Sequence, residues 1–218
     1  MTSTPQFEIP DYPGIVTLTC FDHWDIILTH EAGQTHFVDD WNATKHGFSD
    51  DQTDEYSLGN QPLFVILGKG SFLLRIDMWT ADDEYMSAEY SDVSLTSDAD
   101  GYALHIGAYD SGTSTAGGLV TYHSGNAFTT YDSDTTANGC TGTYPAAWWY
   151  LQNTAVSILQ EDGSVQQSSD ECFTSLLTAD TGMTWALENK NGEITGHVPV
   201  DKVVMRVAVN PEVTFRKY

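Results

Sequence analysis

Apolar residues along this chain gather in short runs rich in Val, Ile, Thr and aromatics, separated by polar turn chemistry. "GIVTLTCF" (14–21), "HWDIILTH" (23–30), "SFLLRIDMW" (71–79), "GYALHIGAY" (101–109) and "KVVMRVAV" (202–209) predict strands. Between and beyond them stand "EAGQ" (31–34), "DADG" (98–101), "EDGS" (161–164) and "NKNGE" (189–193), each a turn signal. "VDDWNATKHGF" (38–48) is the best helix candidate, with Asp near its start, Lys45 and His46 near its end, and Gly47 suited to the C-cap. From about residue 110 the sequence is rich in Gly, Ser, Thr and Asp and poor in periodic signal. Loops that long in a compact domain are usually functional or stapled. The pattern predicts a mixed, strand-dominated fold with a regular first half and an irregular second.

Composition narrows the possibilities. The 218 residues, 40% hydrophobic and 12% aromatic, suffice for a substantial core and lie far from disorder. The longest apolar runs, such as "FVIL" (64–67), are too short to span a bilayer, which predicts no membrane insertion. "MTSTPQFEIPDYPG" has neither a basic start nor an apolar run, so no signal peptide is visible. Thirty-one acids against eight Lys plus Arg leave a net charge of −23. Neutralising phosphates requires the opposite sign, which argues against nucleic acid and anionic membrane surfaces. So acidic a protein suits high solubility, saline surroundings and cationic partners. Cys20, Cys140 and Cys172 allow one disulfide and one leftover thiol, with no CxxC metal pattern.

Candidate chemistry is sparse. Asp132 and Asp134 share an irregular loop that runs into Trp148, Trp149 and Tyr150. Two carboxylates in a flexible, oxygen-rich loop suit either a solvated turn or a hard cation. Asn42-Ala43-Thr44 is a glycosylation sequon, usable at Asn42 on a secretory route. "DSGTS" from Asp110 and "DTG" from Asp180 resemble aspartic-protease signatures, but a two-lobed protease needs a longer sequence. Neither HExxH nor GxSxG occurs, so no enzyme is expected.

A series of aromatic-rich blocks begins with Trp24, Phe37, Trp41 and Gly47-Phe48. It continues through "SLGN" (57–60), "LLRIDM" (73–78), "YALHIGAYDSGTSTAGGLVTYHSGNAFTT" (102–130) and "GTYPAAWWY" (142–150), and closes with "GMTW" (182–185) and "MRV" (205–207). This order and spacing resembles that of fibrinogen C-terminal (fibrinogen-related) domains, as found in fibrinogen chains, ficolins and tachylectins. The resemblance implies a secreted α+β domain over residues 14–210, with 1–13 as an N-terminal extension. A central twisted antiparallel sheet would be followed by a loop-rich calcium-binding C-terminal part.

Counting back from Cys140, the resemblance assigns Ca²⁺ to the side chains of Asp132 and Asp134 and the carbonyls of Thr136 and Asn138. Counted from Phe128, the same loop is two residues shorter than the family's. The resemblance also implies a Cys140–Cys172 disulfide, with Cys20 left without its family partner. A ligand pocket would lie between Tyr144, the Cys172–Phe173 peptide and Asp180. Phe173 stands where the family places a His, and 151–171 reads as an inserted hairpin. The function implied is calcium-dependent, lectin-like recognition of a glycan or acetylated group. The alternative is a structural subunit or adhesin tip working through protein contacts, and either form is compatible with a homo-oligomer.

Overall fold

Strands form here because branched and aromatic residues on alternate positions can bury one face of a pleated sheet. In the computed structural model, Phe72–Trp79 and Lys202–Val209 run antiparallel at the centre of a seven-stranded sheet. Their cross-strand pairs Leu74–Val207, Ile76–Met205 and Met78–Val203 are all buried. Outside them lie Trp24–Glu31 and Tyr85–Tyr90, and beyond Trp24–Glu31 the short strands Glu55–Ser57 and Phe48–Asp50. Cys20–Phe21 also pairs with Trp24–Glu31. The structure describes residues 6–8, 15–17, 20–21, 23–34, 37, 40–50, 52–152, 154–169, 171–180 and 182–211. The expectation of a leftover thiol at Cys20 concerns a side chain outside that description, as does most of the 1–13 extension.

Helix α1, Trp41–His46, occupies the predicted place. Asp40 caps it by accepting the Ala43 amide at 2.8 Å, and Gly47 ends it at φ 81°. Gly47 also lies against the backbone of Ser57, Leu58 and Gly59, where a Cβ would fall 2.3 Å from the Ser57 carbonyl oxygen. Helix α2, Asn60–Leu67, is an element the sequence pattern did not reveal, because "NQPLFVIL" is apolar nearly all round. It buries Leu63, Ile66 and Leu67 in the core.

The "GYALHIGAY" segment is not the expected strand. Gly101 and Tyr102 both adopt positive φ, 72° and 47°, which turns the backbone and leaves Leu104–His105 as a two-residue strand and Tyr109 in an isolated bridge to Tyr90. Two strands absent from the sequence reading, Thr184–Glu188 and Ile194–Pro199, form a hairpin around the predicted 189–193 turn. They belong to a second sheet of five strands with Ser175–Leu176, Val156–Leu159 and Val165–Ser168. The last two form an antiparallel hairpin. His30, in the central sheet, ties it to the segment that follows Ser175–Leu176: its buried ring bonds Glu55 at 2.7 Å and the Ala179 carbonyl at 3.0 Å. The fold is α+β, mostly sheet with few helices, around a continuous core.

Candidate functional site

The loop from Thr130 to Cys140 packs beside the aromatic wall. Trp148 and Tyr150 are fully buried and Trp149 nearly so, with Trp149 donating to the Tyr102 carbonyl at 2.8 Å. Thr129 and Trp148 pair through their backbones, which fixes the loop entrance to the wall. Asp132 then points away: its Oδ1 accepts the Trp41 amide at 2.9 Å and the Thr130 hydroxyl at 2.7 Å. Asp134 turns the other way. Oδ1 accepts the Thr136 amide and hydroxyl at 2.8 and 2.6 Å, and Oδ2 the Thr141 amide and hydroxyl at 3.1 and 2.5 Å. The Thr136 hydroxyl in turn accepts the Cys140 amide, so one carboxylate organises the start of the short helix α3, Cys140–Thr143. Partial burial raises the Asp134 pKa, but these hydrogen bonds outweigh it and hold the group below its ordinary value.

These positions are the expected calcium ligands, and protein donors engage their oxygens in this arrangement. A carboxylate has about four lone-pair sites. At Asp134 all four face protein donors, while Asp132 is aimed at helix α1. The Thr136 carbonyl accepts the Gly139 amide inside the turn.

Cys140 is bonded to Cys172, with Cα atoms 5.6 Å apart, so helix α3 is stapled to the segment that follows the 156–168 hairpin. Beside the staple a cleft of about 390 Å³ opens between Tyr144, Glu171, Cys172, Phe173, Thr184 and His197. Tyr144, 41% exposed, meets Phe173 edge-on at 4.8 Å, and Phe173 meets His197 edge-on at 6.4 Å. Burial lowers the His197 pKa, against the opposing pull of Glu171. The structure thus brings together three of the four expected pocket residues. Asp180 does not line the cleft; its carbonyl accepts the Gly33 amide at 2.6 Å. The carboxylate at the cleft is Glu171, and an imidazole arrives from a strand as His197. Sequence reasoning missed both. The signal available for His197 was its place in the short strand "ITGHVP" following a predicted turn.

Behind the cleft, His123 is fully buried. Its Nδ1 donates to the Trp149 carbonyl at 2.6 Å, and its Nε2 accepts from the Thr174 and Ser175 amides at 3.3 and 3.2 Å. That arrangement holds the neutral ring, and burial lowers its pKa to about 4, with the Trp149 bond opposing. Asn42 of the sequon is exposed on helix α1, whereas Thr44 is buried and bonded to the Asp40 carbonyl at 3.1 Å.

Residues 17–194 match the family model described as the C-terminal globular domain of fibrinogen beta and gamma chains. The protein therefore belongs to the fibrinogen-related domain family, whose members are recognition domains and not enzymes. Human ficolin-3 is 31% identical over 129 residues, 58% of this chain and 42% of that relative, so the match spans less than half of ficolin-3. The fibrinogen-like globe domain of human ANGPTL2 superposes with a TM-score of 0.70 at 24% identity, over 97% of this chain and 94% of that one. Lamprey fibrin D-dimer, solved with the peptide ligand Gly-His-Arg-Pro-amide, gives 0.67 at 20% identity, over 95% and 69%. No helix among the described residues is long and apolar enough to cross a membrane.

Proposed function

We propose that this protein is an extracellular, lectin-like recognition domain that takes a glycan or acetylated group in the cleft between Tyr144, Phe173 and His197. The observation that carries this is the cleft itself: two aromatic rings meeting edge-on at 4.8 Å beside a disulfide, with polar groups at its rim. An acetyl methyl suits the ring edges, while Tyr144, Thr184 and His197 offer hydrogen bonds to its carbonyl. The ficolin relationship supports the lectin reading and, with it, a secreted location.

Recognition by this cleft does not require calcium in our reading, because Asp134 already orders the loop through its threonines. A glycan array with acetylated and non-acetylated sugars, run with calcium and with chelator, tests both parts. Binding of acetylated sugars that survives chelation and is lost in Tyr144→Ala is expected. Binding abolished by chelator would reinstate Asp132, Asp134, Thr136 and Asn138 as ligands. A blank array would remove the glycan reading altogether.

A second reading rests on a different feature. Val165–Ser168 ends the second sheet, is largely exposed, and carries Val165 at 44% exposure. An open edge strand suits pairing with a protein partner or a second copy of the same protein. Light scattering and cross-linking of the intact protein would show such assembly.

A further inference from the structure

The Tyr144 cleft carries three polar groups that the fold leaves open. Among the described residues, no hydrogen bond or ion pair engages the Tyr144 hydroxyl, the Glu171 carboxylate or the His197 ring nitrogens. Tyr144 is 41% exposed, His197 is exposed and Glu171 is half-buried, so a molecule in the cleft can reach all three. The backbone that carries Glu171 is held in place. It runs directly into Cys172, which is bonded to Cys140 and whose carbonyl accepts the Leu151 amide at 2.8 Å.

The cleft also has a sign. No Lys or Arg is among its lining residues, and burial lowers the His197 pKa, which leaves that ring uncharged near neutral pH. The Glu171 carboxylate is therefore the formal charge at this cleft, in a protein of net charge −23. A neutral sugar would leave it without a partner. An ammonium placed beside it gains a charge-assisted hydrogen bond. The Tyr144 and Phe173 rings, 4.8 Å apart, add aromatic surface that itself attracts a cation. A sugar bearing a carboxylate meets repulsion from the same group.

We infer that this cleft selects N-acetylated glycans that also carry a free amine, with the acetyl group against Tyr144 and Phe173 and the ammonium on Glu171. The inference rests on the glycan reading of the cleft and makes Glu171 its specificity-determining residue. A volume of about 390 Å³ falls within the range of small-molecule sites, roughly 300–1,000 Å³, and suits a short saccharide. Glucosamine oligomers that have lost part of their acetyl groups have this chemistry.

The test titrates the intact protein calorimetrically, near neutral pH, with three probes. Di-N-acetylchitobiose is acetylated and neutral, mono-N-acetylchitobiose carries one acetyl and one amine, and N-acetylneuraminic acid is acetylated and anionic. The mono-acetylated disaccharide is expected to bind about five- to tenfold tighter than the neutral one, and the preference should shrink at high salt. Glu171→Gln should reduce that preference below about twofold. Asp82→Asn, on an exposed turn of the central sheet, should leave it intact, which separates Glu171 from the overall charge. Circular dichroism confirms the fold of both variants. The inference is overturned if the neutral disaccharide binds as tightly as the amine-bearing one, if N-acetylneuraminic acid binds more tightly than either, or if Glu171→Gln keeps the preference. The glycan reading survives each of these results. If no probe binds while the array of acetylated sugars is positive, this inference falls alone; if the array is blank too, both fall.

Discussion

The Asp132 carboxylate accepts the Trp41 amide at 2.9 Å across 91 residues of sequence. It thereby supplies the first turn of helix α1 with an anionic acceptor that Asp40, bonded to Ala43, does not provide. Asp132→Ala should therefore lower unfolding free energy by about 1 kcal/mol, the usual worth of such a cap. A urea titration measures it, and the loss should be the same with or without calcium.

Asp134 makes a stronger claim. Four donors converge on one carboxylate, and a hydrogen bond to a charged group contributes about 1.5–3 kcal/mol net. Asp134→Ala should cost roughly 2–4 kcal/mol, read from denaturant unfolding. The melting temperature of metal-free wild type should not move on adding calcium. A rise of several degrees would show that an ion displaces the threonines. Because the folded pKa of Asp134 is lowered, its contribution is present above the ordinary carboxylate range and is lost as acid takes the pH down through the folded value.

His123 acts at milder pH. Its pKa falls from 6.5 to about 4 on folding, so the unfolded state binds the proton first as pH drops. Stability should be full above pH 6.5 and decline between there and about pH 4, by on the order of 3 kcal/mol. Unfolding curves of wild type and a folded His123→Gln variant would separate this group from the carboxylates. The variant should lose stability at neutral pH and show a flatter slope across that window.

Reduction of Cys140–Cys172 should have two effects. Opening a ring whose ends are 32 residues apart should cost about 3–4 kcal/mol on the loop-entropy account. The same bond holds Phe173 beside Tyr144, so ligand affinity at that cleft should fall in Cys140→Ser/Cys172→Ser protein that remains folded. Calorimetry gives both quantities.

The long, alternating strands were legible because burial of one face imposes period two: 23–30, 71–79 and 202–209 appear nearly as read. Helix α2 was not, since eight residues with little polar face carry no helical period. Tyr85–Tyr90 lacked branched residues and gained its strand from pairing with Phe72–Trp79. At the site, Tyr144, Cys172 and Phe173 came from the family resemblance and Glu171 directly precedes Cys172, whereas His197 arrives on Ile194–Pro199 through sheet pairing that no local pattern encodes. The two aspartates were visible, yet their partners decide their role. Asp134 followed by Thr136 is the spacing by which a carboxylate closes a turn on its own backbone.

The disulfide encloses the hairpin of Val156–Leu159 and Val165–Ser168, whose connecting turn is closed by the Gln160 amide on the Ser164 carbonyl and carries Gly163 at φ 81° with open space around it. Both ends of this excursion are therefore anchored in the core while its tip, residues 161–164, is exposed. That makes residues 161–164 a natural graft point, where an epitope or affinity peptide could be spliced in while the staple keeps the recognition cleft in shape.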